Sequence, residues 1–153
     1  VNILFVCTGN TCRSPMAEAI LLDHVKKTNQ TDRIFVKSAG LYTTDGIKTS
    51  AGTRYALMQH QIDFDGESSQ ITEDLLDWAD LILTMTDSHQ EALRSFNPEQ
   101  GDKIHTLNGY VYPSLTDKKR QIQDPFGQDE AVYLATFDEI NQGIAELIKQ
   151  NNL

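Results

Sequence analysis

Positive charge, cysteine and long apolar runs are what this chain has least of. Thirteen Lys and Arg face 22 Asp and Glu, a formal charge of −9 over 153 residues. So acidic a chain is a poor general binder of nucleic acid or anionic membrane, and any phosphate it holds must be held by a local site. Apolar runs extend for only a few residues, too short for a membrane-spanning helix. No charged segment followed by an apolar stretch and a small-residue cleavage site is visible, so the expectation is a cytoplasmic protein with neither nucleic-acid nor membrane partners. The cysteines are two, Cys7 and Cys12. Two cannot make the disulfide framework of a small secreted domain, and with no histidine pair nearby they do not make up a zinc set. What remains is either a passive buried thiol or a reactive one.

The rest of the composition is that of an ordinary globular chain, 39% hydrophobic and 23% charged. Its length predicts one domain over 1–153, with room for a sizeable core. Asn2-Ile3-Leu4-Phe5-Val6 reads as a buried strand. A small-residue loop from Cys7 follows, then a helix with Ser14 as N-cap and Pro15 in its first turn, its apolar face carrying Met16, Ile20, Leu21 and Val25. Ile34-Phe35-Val36 predicts a second strand, closed by Ser38-Ala39-Gly40, and a helix is expected from about Ser50 to His60. Thr72 caps a short helix, and Leu81–Met85 is a near-continuous apolar strand of the kind covered on both faces. Asp87 with Gln90 resembles a capping box opening a helix to about Phe96. Lys103–Leu107 is a fourth strand, followed by a long loop from Asn108 to about Gln128 and a last helix with Tyr133, Phe137, Ile140, Ile144 and Leu147 on one face. The alternation predicts an α/β fold: a parallel sheet with helices on both faces and ligands beyond the carboxyl ends of its strands.

The Cys7 loop stands at that end. Successive backbone N–H groups of a glycine-containing turn make an anion-binding concavity, and a helix start adds unpaired donors. Arg13 adds a guanidinium whose fork matches two phosphate oxygens. The donors that bind a dianion also stabilise a thiolate at Cys7, which would face a bound phosphoryl group for in-line attack. The bland alternative is a buried Cys7 with Arg13 as a surface charge. No Gly-Lys-Ser/Thr follows the loop and no G-x-G-x-x-G pattern is present, so neither a Walker loop nor a dinucleotide fingerprint is at hand.

Val6-Cys7-Thr8-Gly9-Asn10-Thr11-Cys12-Arg13-Ser14-Pro15 resembles the active-site signature of the low-molecular-weight protein tyrosine phosphatase family, and Asp124-Pro125-Phe126 resembles that family's second signature. The resemblance spans the chain. It implies a four-stranded parallel, flavodoxin-like sheet, a phosphorylated protein as substrate, and hydrolysis through a phosphocysteine intermediate without metal or cofactor. By position, Cys7 is the nucleophile, Arg13 holds the phosphoryl oxygens, and Asp124 protonates the leaving group and then activates water. Thr8, Gly9, Asn10, Thr11, Cys12 and Ser14 build the phosphate-binding loop, with Asn10 keeping it bent and Ser14 donating a hydrogen bond to the Cys7 thiolate. Ser38 is a weaker candidate for the supporting polar network. Cys12 is the redox partner that the family pairs with its nucleophile, although a small residue packing under the loop would look the same. Many relatives carry a His in the Asp65–Ser69 region; this chain has none there.

Within the family, arsenate reductases need further cysteines, which this chain lacks, and a phosphoprotein-binding pseudoenzyme would be expected to lose Cys7, Arg13 or Asp124. Two substrate classes stay open. Thr11 and Phe126 resemble the bacterial protein-arginine phosphatase branch, where tyrosine phosphatases commonly have an apolar residue and Tyr. A hydroxyl at Thr11 can pair with a guanidinium N–H where a methylene cannot, so phosphoarginine is favoured over phosphotyrosine. Leu41 and Tyr42 are expected on the opposite wall. His60, His89 and His105 read as surface or packing residues, Trp78 and the methionines as core, Tyr110 and Tyr112 as packing, and Glu73, Asp74, Asp77 and Asp80 as a solvated face.

Overall fold

The structure is a computed structural model and describes residues 1–116 and 120–153. Its elements are β1 (Asn2–Cys7), α1 (Arg13–Lys27), β2 (Phe35–Gly40), α2 (Ala51–Met58), α3 (Glu73–Trp78), β3 (Leu81–Thr84), α4 (Asp87–Phe96), a 3-10 turn (Pro98–Lys103), β4 (Ile104–Thr106), α5 (Leu107–Val111) and α6 (Glu130–Asn151). The four strands pair in parallel in the order β2-β1-β3-β4. β1 is therefore interior, with Cys7 opposite Gly40 on one side and Val6 opposite Thr84 on the other.

Alternation along β1 divides the core in two. Ile3, Phe5 and Cys7 point into a larger cluster with Met16 and Leu21 of α1, Leu57 of α2, Val111 of α5, and Phe137 and Ile144 of α6. Leu4 and Val6 point the other way, to Leu76 of α3 and Leu93 of α4. With both faces covered, the strand can be apolar throughout, as it is. Gly52 lets α2 lie directly on α6, since a Cβ there would fall 2.4 Å from the Tyr133 ring.

Several boundaries differ from those expected. Ser14 is not the cap of α1; Cys12 holds that position with no side-chain cap, and Ser14 lies inside the first turn, fully buried. Its hydroxyl is used elsewhere, as described below. The cap of α4 is Thr86, whose side chain accepts from the His89 amide, so Asp87 is the first helical residue rather than half of a capping box. α2 stops at Met58, which is 53% exposed and so no part of the core, unlike Met16 and Met85. Trp78 is half-buried, with the Lys37 ammonium 4.4 Å over its ring. The expected loop after β4 begins with the short helix α5, capped by Thr106; residues 117–119 of that loop lie outside the described residues. His60 stacks on Phe137, His105 lies against Tyr110, Tyr112 packs against the larger core, and the α3 carboxylates and Asp80 are solvent-exposed, all in line with the expectation.

Candidate active site

At the carboxyl end of β1 the chain turns through residues 8–12 into α1. The turn is set by Asn10, whose φ of +56° lies in the left-handed region. Asparagine tolerates that region better than most residues. Gly9 is not the positive-φ residue of this turn. The glycine that the loop needs is Gly40, the neighbour of Cys7 in β2: a Cβ there would fall 2.8 Å from the Thr8 carbonyl oxygen and 3.1 Å from Cβ of Asn10. The loop is tied to the segment after β2 by Leu41 N–H donating to Cys7 O and Tyr42 N–H donating to Thr8 O, both at 3.0 Å. Among the described residues, no backbone N–H of residues 8 to 12 donates to a protein acceptor. That leaves a ring of donors at the positive end of α1, the chemistry of an oxyanion cradle.

The cradle encloses about 230 Å³, lined by Cys7, Thr8, Gly9, Thr11, Cys12, Arg13, Asp124 and Phe126. Arg13 is 5% exposed. Its Nη1 donates to Ile122 O at 3.0 Å, its Nη2 lies 3.7 Å from Asp124 Oδ2, and its buried Nε has no partner. The Nε–Nη2 edge is thus the part left to grip two oxygens of a bound dianion. Ile122, fully buried, also donates its N–H to Met85 O, which fixes the start of the segment carrying Asp124 to the end of β3. Asp124 is half-exposed, and its Oδ1 accepts from the Phe126 amide at 3.1 Å.

Behind the cradle runs a chain of hydrogen bonds centred on Asn10. Asn10 Nδ2 donates to Ser14 Oγ and Ser38 Oγ, each at 2.8 Å, while its Oδ1 accepts from the Ser69 amide at 2.8 Å. Both N–H donors of the Asn10 amide are therefore used. With a lone pair of Ser14 Oγ taken by Asn10, its single hydrogen has Cys7 Sγ at 2.9 Å and Ala39 O at 3.5 Å within reach, and the sulfur is the acceptor whenever Cys7 is a thiolate. Ser38 passes its own hydrogen to Glu18 on α1, whose carboxyl is pushed above its usual range by burial and held back by that bond. The Ser69 amide and Glu18 thus complete a network in a chain that has no histidine in the 65–69 stretch.

Cys12 and Cys7 are both free thiols, 4% and 3% exposed. Cys12 Sγ lies 3.3 Å from Ser50 Oγ and 3.5 Å from the Tyr133 hydroxyl. The Tyr133 phenol is pushed up to about 12, first by burial and then by its bond to Cys12. His89, expected as a surface or packing residue, packs against the loop. It is buried, and its Nε2 lies 2.9 Å from Thr8 Oγ1 on the loop itself. Burial, and next the Arg13 charge, push it down to about 4 against the opposing pull of Asp124, so the ring is neutral at physiological pH. Leu41 does not line the cradle; with Tyr42 and His89 it lines the adjoining hollow. Asn10 and Ser14 support the cradle from behind rather than lining it. Glu18, Ser50, Ser69, His89 and Tyr133 carry no local motif.

Comparison with known proteins agrees with this geometry. The model of the family described as low molecular weight phosphotyrosine protein phosphatase matches residues 2–152. A protein-arginine-phosphatase of Geobacillus stearothermophilus is 40% identical over 149 residues, covering 97% of this chain and 95% of the relative. The low molecular weight protein-tyrosine-phosphatase PtpB of Staphylococcus haemolyticus is 38% identical, covering 96% and 97%. Among solved structures, the YwlE arginine phosphatase C7S mutant with a phosphorylated active-site serine superposes with a TM-score of 0.90 at 37% identity, covering 98% of this chain and 95% of that one. The chain belongs to the low molecular weight phosphotyrosine protein phosphatase family, and is a cysteine-dependent protein phosphatase.

Proposed function

We propose that the enzyme is a cytoplasmic phosphoarginine phosphatase acting on proteins, with Cys7, Arg13 and Asp124 as its catalytic residues. The Cys7 thiolate attacks phosphorus in line with the leaving nitrogen, the S–P bond forms as the P–N bond breaks, and Asp124 gives its proton to the departing guanidine. The Nε–Nη2 edge of Arg13 and the loop amides hold the equatorial oxygens as charge develops on them. Asp124, now a carboxylate, takes a proton from water, which attacks phosphorus and returns Cys7 as a thiolate.

The observation that carries the substrate assignment is the pairing of Thr11 and Phe126 in the cradle lining. Thr11 is half-buried and offers a hydroxyl acceptor to a guanidinium N–H, while the exposed Phe126 ring offers a flat apolar wall. Relatives of 37% and 40% identity that are named protein-arginine-phosphatases favour the same reading. The name of the Staphylococcus haemolyticus relative favours phosphotyrosine as the second reading. Rates on phosphoarginine and phosphotyrosine peptides of one sequence decide between them. The expected result is faster turnover of phosphoarginine, with Thr11→Ile moving the preference toward phosphotyrosine; equal rates before and after that change would refute the role of Thr11.

Cys12 supplies a redox lock. Peroxide converts the Cys7 thiolate to a sulfenic acid, and the Cys12 sulfur displaces water from it to form a Cys7–Cys12 disulfide that thiols reduce. The Tyr133 hydroxyl, 3.5 Å from Cys12 Sγ, supports the sulfur as it gains charge. The expected result is full recovery of wild type after mild peroxide and dithiothreitol, and lasting loss in Cys12→Ser. Equal recovery by both would remove Cys12 from this role.

A further inference from the structure

The phosphate cradle opens into two further hollows. Thr8 and Arg13 line both the cradle and a neighbouring hollow of about 480 Å³. Leu41 and Tyr42 line that hollow and also a groove of about 410 Å³ that continues to α3 and α4. The groove is apolar at its floor and polar along part of its rim: Leu76 and Leu93 line it from the core, Phe96 and Tyr42 stand at it 72% and 69% exposed, and Gln70, Thr72, Glu73 and Asn97 complete it. Two aromatic rings left this open beside an apolar floor mark an interaction site rather than a packing accident. A cradle that grips one phosphorylated side chain treats all segments bearing that side chain alike, so selection among proteins must come from surface beyond it.

We propose that this groove docks an apolar side chain of the phosphoprotein substrate itself, carried on an extended segment that also bears the phosphorylated residue and has a lysine or arginine beside the apolar anchor. Continuity identifies the occupant. The three hollows share lining residues in succession, so one extended strand can lie through all of them with its phosphorylated side chain in the cradle. Charge identifies the neighbour of the anchor: Glu73 lines the groove, and Asp74 and Asp77 are exposed on the same helix. An acidic segment would be repelled there and a basic one drawn in. The proposal rests on the cradle being the phosphatase site, and not on which phosphorylated residue it prefers.

The test is a phosphopeptide series on a Gly/Ser background, with one leucine walked from five residues before to five residues after the phosphorylated residue. The readouts are kcat/KM on the wild type and affinity for the Cys7→Ser protein. The expected result is a rise of about tenfold at one or two adjacent positions on a single side, the scale of burying one aliphatic side chain. In Phe96→Ser that rise collapses while turnover of a small aryl phosphate stays within twofold. A lysine beside the leucine raises kcat/KM further and a glutamate lowers it, and Glu73→Lys reverses that order. A flat scan, or a rise that survives Phe96→Ser, overturns the proposal. So does a flat scan accompanied by a concentration-dependent dimer that Phe96→Ser dissolves, since the groove would then seat a second copy of the chain. Failure of the wild type to turn over the aryl phosphate refutes the cradle assignment instead, and the affinity series on Cys7→Ser still reads the groove.

Discussion

Removing the Ser14 hydroxyl isolates one bond of the buried network and should slow one half of the reaction more than the other. Ser14 Oγ lies 2.9 Å from Cys7 Sγ and is fully buried, and against a thiolate, which has no proton to give, it is the donor. A hydrogen bond to a charged group contributes about 1.5–3 kcal/mol. Ser14→Ala therefore costs about 10- to 150-fold wherever the thiolate carries full charge. In the first half-reaction the thiolate is the nucleophile, and a less stabilised thiolate is also a more reactive one, which recovers part of the loss. In the second half-reaction the thiolate is the leaving group, and nothing offsets the missing donor. Hydrolysis of the phosphocysteine should become rate-limiting. Rapid-quench kinetics on an aryl phosphate should show a burst of one product equivalent per enzyme, kcat should fall at the upper end of that range, and KM should fall with it. A variant in which kcat and kcat/KM drop equally with no accumulating intermediate, or in which kcat stays within twofold, would refute a direct role for Ser14 at sulfur.

Other consequences concern Asp124 and His89. Asp124→Asn should lower kcat/KM by about 10²–10³ on substrates whose leaving group needs a proton and by far less on nitrophenyl phosphate, the range of a single general acid; an equal loss on both would remove Asp124 from proton transfer. His89 stays neutral down to about pH 4 in the folded protein, whereas an unfolded histidine protonates near pH 6.5. Between those values the unfolded chain holds a proton that the folded chain lacks. Stability from this residue is complete above about pH 6.5 and is lost as pH falls toward 4, by about 1–2 kcal/mol once residual solvent screening is allowed for. Urea titrations at pH 7 and pH 4.5 should show a smaller pH-dependent change in His89→Phe than in wild type, and parallel shifts in the two proteins would exclude the assignment.

The catalytic loop was readable because its chemistry is contiguous: thiol, turn, guanidinium and helix start fall within eight residues of chain. Asp124 was readable because Asp124-Pro125-Phe126 resembles the family's second signature in a chain that already carries the first. The supports were not, because their partners lie far apart in sequence. Thr8 and His89 are separated by 81 positions, Cys12 and Tyr133 by 121, and only folding of β1 against β3 and α1 against α6 joins them. His89 sits on a helix whose pattern suits an ordinary surface turn, and nothing local marks its burial. Ser14 shows the opposite error. Serine before proline at a helix start is a good cap by local rules, yet its hydroxyl is drawn inward by Asn10 and Cys7. Gly40 ends β2 as expected, but its purpose appears only when the Thr8 carbonyl is found 2.8 Å from its would-be Cβ.

Ile122 has a consequence for how this enzyme can be retargeted. It is buried, donates to Met85 O, and accepts from Arg13 Nη1, so the chain is pinned two residues before Asp124. Beyond that pin, Phe126 is 71% exposed and Gly127 turns at a φ of +77° with open space around it. Proton transfer and choice of phosphorylated residue are thereby carried on separable stretches of one loop. Residues 126–128 are free to drift or to be exchanged for those of another enzyme, while the arginine grip stays in register with the sheet. Selectivity in this architecture can diverge quickly among paralogues that keep the same chemistry.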